Sequence, residues 1–319
     1  MSADISQRIQ KLYSRFGDIA GVTIEIHKSL IAINILNGAG EATIFLQGAQ
    51  ISHFKSHHQP DSLWLSPECE YKVGQSLRGG IPICWPWFGE LSKNPAQIQE
   101  QIDTSNAPAH GFVRERDWQL DRIEAIDANT TRATLSLNIE ADAEPLWPFK
   151  CRLELDIIIA EHLSVTFRVF NLSAQTFHFS TALHSYFSVP HISQVAVTGL
   201  EQSQYLDCLD DWQSQTQVGK VSIGQEVDRL YYPTKNHICI ENQHTGHSLC
   251  IDSQNSNSAV LWNPWVDKAR RLSAFADDAY QQMLCIETAN AGKDFVSLPA
   301  GQQHELRLMI SHQSTAPSH

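Results

Sequence analysis

Apolar and polar residues alternate with a period of two along most of the chain, so each such stretch is expected to be a strand with one buried and one wet face. In RATLSLNIE, Ala133, Leu135, Leu137 and Ile139 alternate with Arg132, Thr134, Ser136, Asn138 and Glu140. Cys151, Leu153, Leu155 and Ile157 do the same against Arg152, Glu154 and Asp156, and Leu163, Val165, Phe167 and Val169 repeat it. Leu306, Leu308 and Ile310 end the chain in the same phase, and VTIEIH, LIAINIL and EATIFL lie at short spacing around the turn residues Asn37, Gly38 and Gly40. Only SQRIQKLYSRF has helical spacing, with Ile9, Leu12, Tyr13 and Phe16 on one face. The pattern predicts an all-β chain: one large antiparallel β-sandwich over 1–319 with a short N-terminal helical extension over 1–17. No Pro/Ser-rich linker, charge run or internal repeat divides it.

Composition narrows the classes. The chain has 319 residues, 42% of them hydrophobic, enough for a large core. A formal charge of −12 argues against a nucleic-acid surface, because phosphate backbones are bound by clustered lysines and arginines. The first residues carry no apolar leader and no stretch approaches the ~18 apolar residues of a membrane span. A cytoplasmic monomer without nucleic-acid or membrane partners is therefore expected. The seven cysteines are odd in number and contain no CxxC pair, so reduced, mostly buried thiols are expected rather than a disulfide framework or a thiolate metal site.

Several segments break the alternation. In TALHSYFSV, His184 interrupts an apolar run, and a buried imidazole must be hydrogen-bonded or is costly. RGGIPICWPWFGEL, Arg78 to Leu91, is too apolar for a surface loop and too rich in Gly and Pro for a strand. Its Trp85 and Trp87 suit either a sugar-binding wall or a buried cap, and Arg78 beside Gly79 and Gly80 could bring a guanidinium and bare backbone to one ligand. NAPAHGFVRERDW, Asn106 to Trp118, carries His110 and Arg114. IGQEVDRLYY places Asp228 and Arg229 among apolar neighbours, SAVLWNPWVDKA ends in a Trp-Asn-Pro-Trp turn, and in MLCIETAN the carboxylate of Glu287 follows Cys285 and Ile286.

Taken in order, RGGIPICWPWFG, AHGFVR, LHSYF, EVDRLYY, VLWNPW and CIETAN resemble the aldose 1-epimerase superfamily, and specifically its hexose-6-phosphate mutarotase branch, from about Val22 to Ile310. The resemblance implies a galactose mutarotase-like β-supersandwich that uses no metal or organic cofactor and takes a hexose 6-phosphate as its small-molecule partner. It implies His184 as general acid and Glu287 as general base, with Arg78, His110, Arg114 and Asp228 lining the substrate site. Some members have Gln before the His-Gly pair, where this chain has Ala109.

The residue types suit that chemistry. Exchanging the anomers of an aldose removes the proton of the anomeric hydroxyl and protonates the ring oxygen. A carboxylate can do the first and an imidazolium the second, and each would favour the other's charge. In an acidic protein a sugar phosphate must be held locally, which suits the planar forks of Arg78 and Arg114, with Lys268 and Arg270 in reserve. Asp228 would accept from sugar hydroxyls or pair with Arg229 or another arginine. Two other classes share features: a carbohydrate-binding module stacking sugars on Trp85, Trp87 and Trp265, and a cupin-type metal isomerase drawing on His57, His58, His110, His178 and His184.

Overall fold

The computed structural model describes residues 3–102, 107–141, 143–242 and 244–314; Asn106 and the outermost residues of the predicted 1–17 extension and 1–319 sandwich lie outside them. The helix runs Ala3–Phe16 and buries Leu12 and Phe16, with Ile5 and Ile9 packed partly against the core. Burial of each large side chain stabilises by roughly 1.5–3 kcal/mol, which anchors the helix. Tyr13 is 46% exposed, so the apolar face is Ile5, Ile9, Leu12 and Phe16, with Ile5 in the place the spacing gave to Tyr13.

All strand ladders are antiparallel. A four-stranded meander is built from Val22–His27, Leu30–Leu36, Gly40–Phe45 and Gln50–Ser56. A nine-stranded sheet runs in the order Val221–Ser222, Val195–Thr198, His237–Asn242, His247–Gln254, Gln303–Ser314, Leu163–Asn171, Cys151–Ile159, Thr130–Ile139 and Gln119–Asp127. Its inner face carries the predicted apolar phase: Leu153, Leu155, Val165, Phe167, Leu306 and Leu308 are essentially inaccessible. Its outer face carries ion pairs. Arg132 donates from Nε and Nη2 to the two carboxylate oxygens of Asp156 at 2.7 Å each, and Arg168 bridges Glu154 and Glu305.

An eight-stranded sheet holds Gln213–Thr216, Gln204–Asp207, Val227–Tyr232, Ser258–Asn263, Met283–Asn290, Thr181–Leu183 and Ile83–Cys84, with Tyr186–Ser188 also on Met283–Asn290. Its inner face gives Leu183, Phe187, Tyr231, Leu261, Leu284 and Ile286 to the same hydrophobic cluster as the nine-stranded sheet. Its outer face belongs to a second cluster rich in small side chains, among them Cys84, Ala182, Cys285, Ala289 and Ala291. Strand Met283–Asn290 is therefore buried on both faces along its whole length. Among the described residues no helix is long and apolar enough to cross a membrane.

One expectation is corrected here. Cys239 and Cys250, directly opposed on neighbouring strands, are joined by a disulfide rather than held as separate thiols; Cys69, Cys84, Cys151, Cys208 and Cys285 are free.

Candidate active site

The outer face of the eight-stranded sheet supplies the floor of a cavity. His184 is not inside a continuous strand: Thr181–Leu183 and Tyr186–Ser188 are two short pieces, with His184 and Ser185 between them. Both pieces nevertheless pair with Met283–Asn290 in one register, Leu183 with Thr288 and Tyr186 with Cys285. That register sets His184 opposite Glu287. Directly opposed residues share a face, so the imidazole and the carboxyl meet, with Nε2 3.4 Å from Oε1. Glu287 pairs in turn with Val260, and Val260 with Leu230, while the neighbouring row runs Tyr186, Cys285, Trp262, Asp228. Asp228 thus lies on the same face two strands from Glu287.

The break at His184 has its own hydrogen bonds. His184 N–H donates to the Pro82 carbonyl at 3.0 Å and Tyr186 N–H to Gly80 at 2.8 Å. The imidazole stacks on Tyr186 with centroids 4.8 Å apart and meets His110 edge-on at 5.4 Å. His184 Nδ1 and Glu287 Oε2 are buried and have no partner among the described residues, nor has Arg114 Nε. Such orphans are rare in folded proteins, and three around one cavity mark a place shaped for a polar ligand.

The cavity has two chambers. The smaller, 420 Å³, is lined by Glu287, Asp228, Trp262 and Lys268; the larger, 740 Å³, by Arg114 together with Glu68, Glu70 and Glu115. Arg78, Ala109, His110, His184 and Tyr186 line both and form the junction. All six predicted site residues therefore reach one cavity. Lys268, held in reserve, lies 3.8 Å from Asp228 and 3.5 Å from Glu226, whereas Arg270 does not line either chamber. Arg229, one residue from Asp228, points to the other face and pairs with Asp207 at 3.3 Å, so the ion pair considered for Asp228 is made with Lys268 instead.

Other readings of the loops change. Gly79 and Gly80 do not open backbone to a ligand: a Cβ on either would lie 2.5 Å from the Trp64 carbonyl or 2.2 Å from that of Ile51, so both serve close packing of chain on chain. Gly111 does the same with positive φ, a Cβ there meeting the Trp85 carbonyl at 1.9 Å. That contact fixes the His-Gly turn and with it His110. Trp85 and Trp87 are fully buried against protein and offer a sugar no stacking face, and Trp265, packed on Tyr280, lines neither chamber. Beside Phe88, Tyr186 and Trp212, Trp262 lines the smaller chamber. Its strand is buried on both faces, which hid its orientation; only its pairing with Asp228 reveals it. Tyr186 is not among the expected site residues, although its place two residues from His184 is the strand spacing that shares a face. Of the cupin-type histidines, His178 bonds Ser297 at 2.8 Å and His57 and His58 line a separate groove, so they do not join His184.

Burial dominates the electrostatics. It drives the His184 pKa well below the usual histidine range, aided by His110, Arg114 and Arg78, and drives Glu287 well above the carboxylate range, aided by Asp228. The mutual support of charges expected for this pair is outweighed, and both groups favour their uncharged forms. Asp228 is also raised by burial, with Lys268 opposing.

His110 accepts at Nδ1 from Gly89 N–H at 3.2 Å, which leaves Nε2 to carry the ring proton. Burial, then Arg114, Arg78 and Lys268, push its pKa down to about 3. It is thus a neutral donor across the working range, not an acid. Unfolded, this ring takes a proton near pH 6.5; folded, it resists until about 3. Its contribution to stability is complete above pH 6.5 and is lost as pH falls toward 3. Between pH 7 and 5 this linkage should weaken the fold by about 1 kcal/mol, a discounted figure because the ring is partly exposed. Denaturant midpoints at the two pH values should therefore differ less in His110→Gln than in the wild type; equal differences would show that the ring is protonated in the folded state.

Comparison with known proteins agrees with this architecture. The family model for aldose 1-epimerase matches residues 32–311. A relative from Cenchrus ciliaris, provisionally named glucose-6-phosphate 1-epimerase, is 31% identical over 288 residues, covering 87% of this chain and 83% of its own. One of the same provisional name from Escherichia coli K12 is 30% identical over 256 residues, covering 79% and 81%. Among solved structures, a provisionally named mutarotase from Salmonella typhimurium superimposes with a TM-score of 0.83 at 24% identity, covering 97% of this chain and all of that one. Galactose 1-epimerase from Lactobacillus acidophilus gives 0.69 at 14% identity, covering 92% and 99%. At these identities the two structures speak for the fold, which is galactose mutarotase-like.

Proposed function

This chain belongs to the aldose 1-epimerase family, and we propose that it interconverts the α and β anomers of a hexose 6-phosphate, with His184 and Glu287 moving the protons. The observation that carries the proposal is the buried pair itself: an imidazole and a carboxyl 3.4 Å apart, each with a second polar atom left unpartnered beside the cavity.

The pair holds one proton that either member can carry. Neutral acid beside neutral imidazole has the same proton count as carboxylate beside imidazolium, so no proton need enter from solvent to pass between the two forms. Glu287 as carboxylate takes the proton of the anomeric hydroxyl while His184 as imidazolium gives one to the ring oxygen. The ring opens to the aldehyde, the terminal carbon rotates, and the steps reverse on the other face. Both groups end where they began, and no covalent intermediate is formed.

The sugar ring is assigned to the smaller chamber, over Trp262, with Asp228 and the Nε2–H of His110 as acceptor and donor for its hydroxyls. The phosphate is assigned to the larger chamber, on Arg114 and Arg78. Glu68, Glu70 and Glu115 line that chamber too, so a dianion gains there only by engaging the guanidiniums directly. Its charge would also offset the two arginines that oppose protonation of His184, and so would favour the ionic form of the pair when substrate is bound. The relatives provisionally named for glucose 6-phosphate support the choice of substrate class.

The test is a polarimetric comparison of hexose 6-phosphates with the corresponding free hexoses, each started from a single anomer. Acceleration over buffer that favours the phosphorylated sugars, and that a chelator leaves unchanged, is the expected result. Equal acceleration of both kinds of sugar would reduce the activity to a general aldose epimerase, and loss of activity with chelator would replace the acid–base mechanism.

A further inference from the structure

Away from the cavity, on the outer face of the nine-stranded sheet, four side chains stand in line. Asp252 Oδ1 lies 2.7 Å from His237 Nδ1, and His237 Nε2 lies 3.2 Å from the Sγ of Cys239, which is bonded to Cys250. Two adjacent cross-strand pairs fix the line: His237 opposite Asp252, and Cys239 opposite Cys250. Ile238, Ile240, Leu249 and Ile251 take the inner phase of the same two strands, so the two cysteines take the opposite phase with His237 and Asp252, although both are themselves buried. His237 itself is about half exposed.

This disulfide has no evident scaffold role. The other five cysteines are free, and strands His237–Asn242 and His247–Gln254 are already joined by a continuous ladder. What distinguishes the site is an imidazole aimed at one sulfur and oriented through its other nitrogen by a carboxylate. That arrangement stabilises a thiolate, and in thiol–disulfide exchange the stability of the leaving thiolate governs the rate.

We propose that Cys239–Cys250 is a thiol–disulfide exchange site that takes an external dithiol as reductant, with His237 as its proton carrier and Asp252 as the residue that positions His237. A thiolate of the reductant attacks Cys239, a residue with 8% of its surface exposed, rather than Cys250, which has none. The S–S bond breaks, Cys250 leaves as a thiolate within 4.8 Å of a His237 ring nitrogen and takes its proton from the imidazolium, which the reductant's second thiol then reprotonates, and a mixed disulfide remains on Cys239. The reductant's second thiol attacks its own sulfur in that mixed disulfide, and Cys239 leaves as a thiolate against the His237 imidazolium. Two electrons and two protons have then passed from the dithiol, now a disulfide, to the protein. The reverse sequence reoxidises the pair.

The native protein is treated with dithiothreitol at pH 7, quenched with an alkylating reagent at intervals and mapped by mass spectrometry. New labels should appear on Cys239 and Cys250 without denaturant. His237→Gln, at an exposed position that the fold tolerates, should slow their appearance about tenfold. Asp252→Asn should slow it less and move the pH profile of reduction, which a purely structural role would not do. Labels that appear only in denaturant, a His237→Gln variant reduced at the wild-type rate, or thiols isolated with stoichiometric zinc in place of the disulfide would each overturn the proposal.

Discussion

Replacing Glu287 by Gln should lower turnover ~100-fold or more while leaving a soluble protein that melts cooperatively, the scale expected when a general base is lost. The substitution keeps shape and volume at a position with only 1% of its surface exposed. Burial already disfavours the charge of Glu287, so a neutral amide replaces a side chain that the fold holds close to neutral, and the cost in stability should be small. What the amide cannot do is accept and return a proton. His184→Asn should lose as much activity, with a larger stability cost, because it also removes a ring stacked on Tyr186. Near-wild-type turnover in either variant would remove that residue from the chemistry.

Arg114→Ala should lower efficiency toward a hexose 6-phosphate by roughly ten- to a hundredfold, the loss expected for one charge-assisted hydrogen bond worth about 1.5–3 kcal/mol. Efficiency toward the free hexose should change much less. The two arginines are expected to differ. Arg114 lines only the larger chamber, where its Nη2 donates to the Ala109 carbonyl at 3.0 Å and its Nε has no partner. Arg78 lines both chambers and interacts with the hydroxyl of Tyr186, the ring on which His184 stacks. Arg78→Ala should therefore weaken both substrates, and Arg114→Ala chiefly the phosphorylated one. Kinetics in a buffer without phosphate give the ratio of efficiencies for each variant. A proportional loss of both substrates in Arg114→Ala would make that arginine a brace for the 109–114 turn and send the search for the phosphate contact to Lys268.

The parts of the fold that could be read from the sequence are those with one wet face. In the nine-stranded sheet the apolar phase of Leu153, Leu155, Val165 and Phe167 is the buried phase. The strand that carries Glu287 has both faces covered, so alternation is absent there and nothing in MLCIETAN says which way the carboxyl points. Its meeting with His184 depends on a register shared by two short strands on either side of a break, a long-range fact that no local pattern contains. The six motifs named the residues that reach the cavity but not its division into two chambers, nor the weight of burial on the catalytic pair. The cysteines mislead for a different reason. Counting them and looking for CxxC overlooks register: Cys239 in HICIEN and Cys250 in HSLCIDSQ are directly opposed on neighbouring strands, where side chains of one phase meet.

The central claim is acid–base ring opening at the anomeric carbon, and exchange NMR in D2O on a hexose 6-phosphate tests it most directly. With enzyme present, magnetisation should pass between the α and β anomeric protons much faster than in buffer, and the protons on the first two carbons should be retained, because ring opening breaks no carbon–hydrogen bond. An exchange rate no faster than buffer, or replacement of the proton on the second carbon by deuterium as enolisation would require, would contradict it.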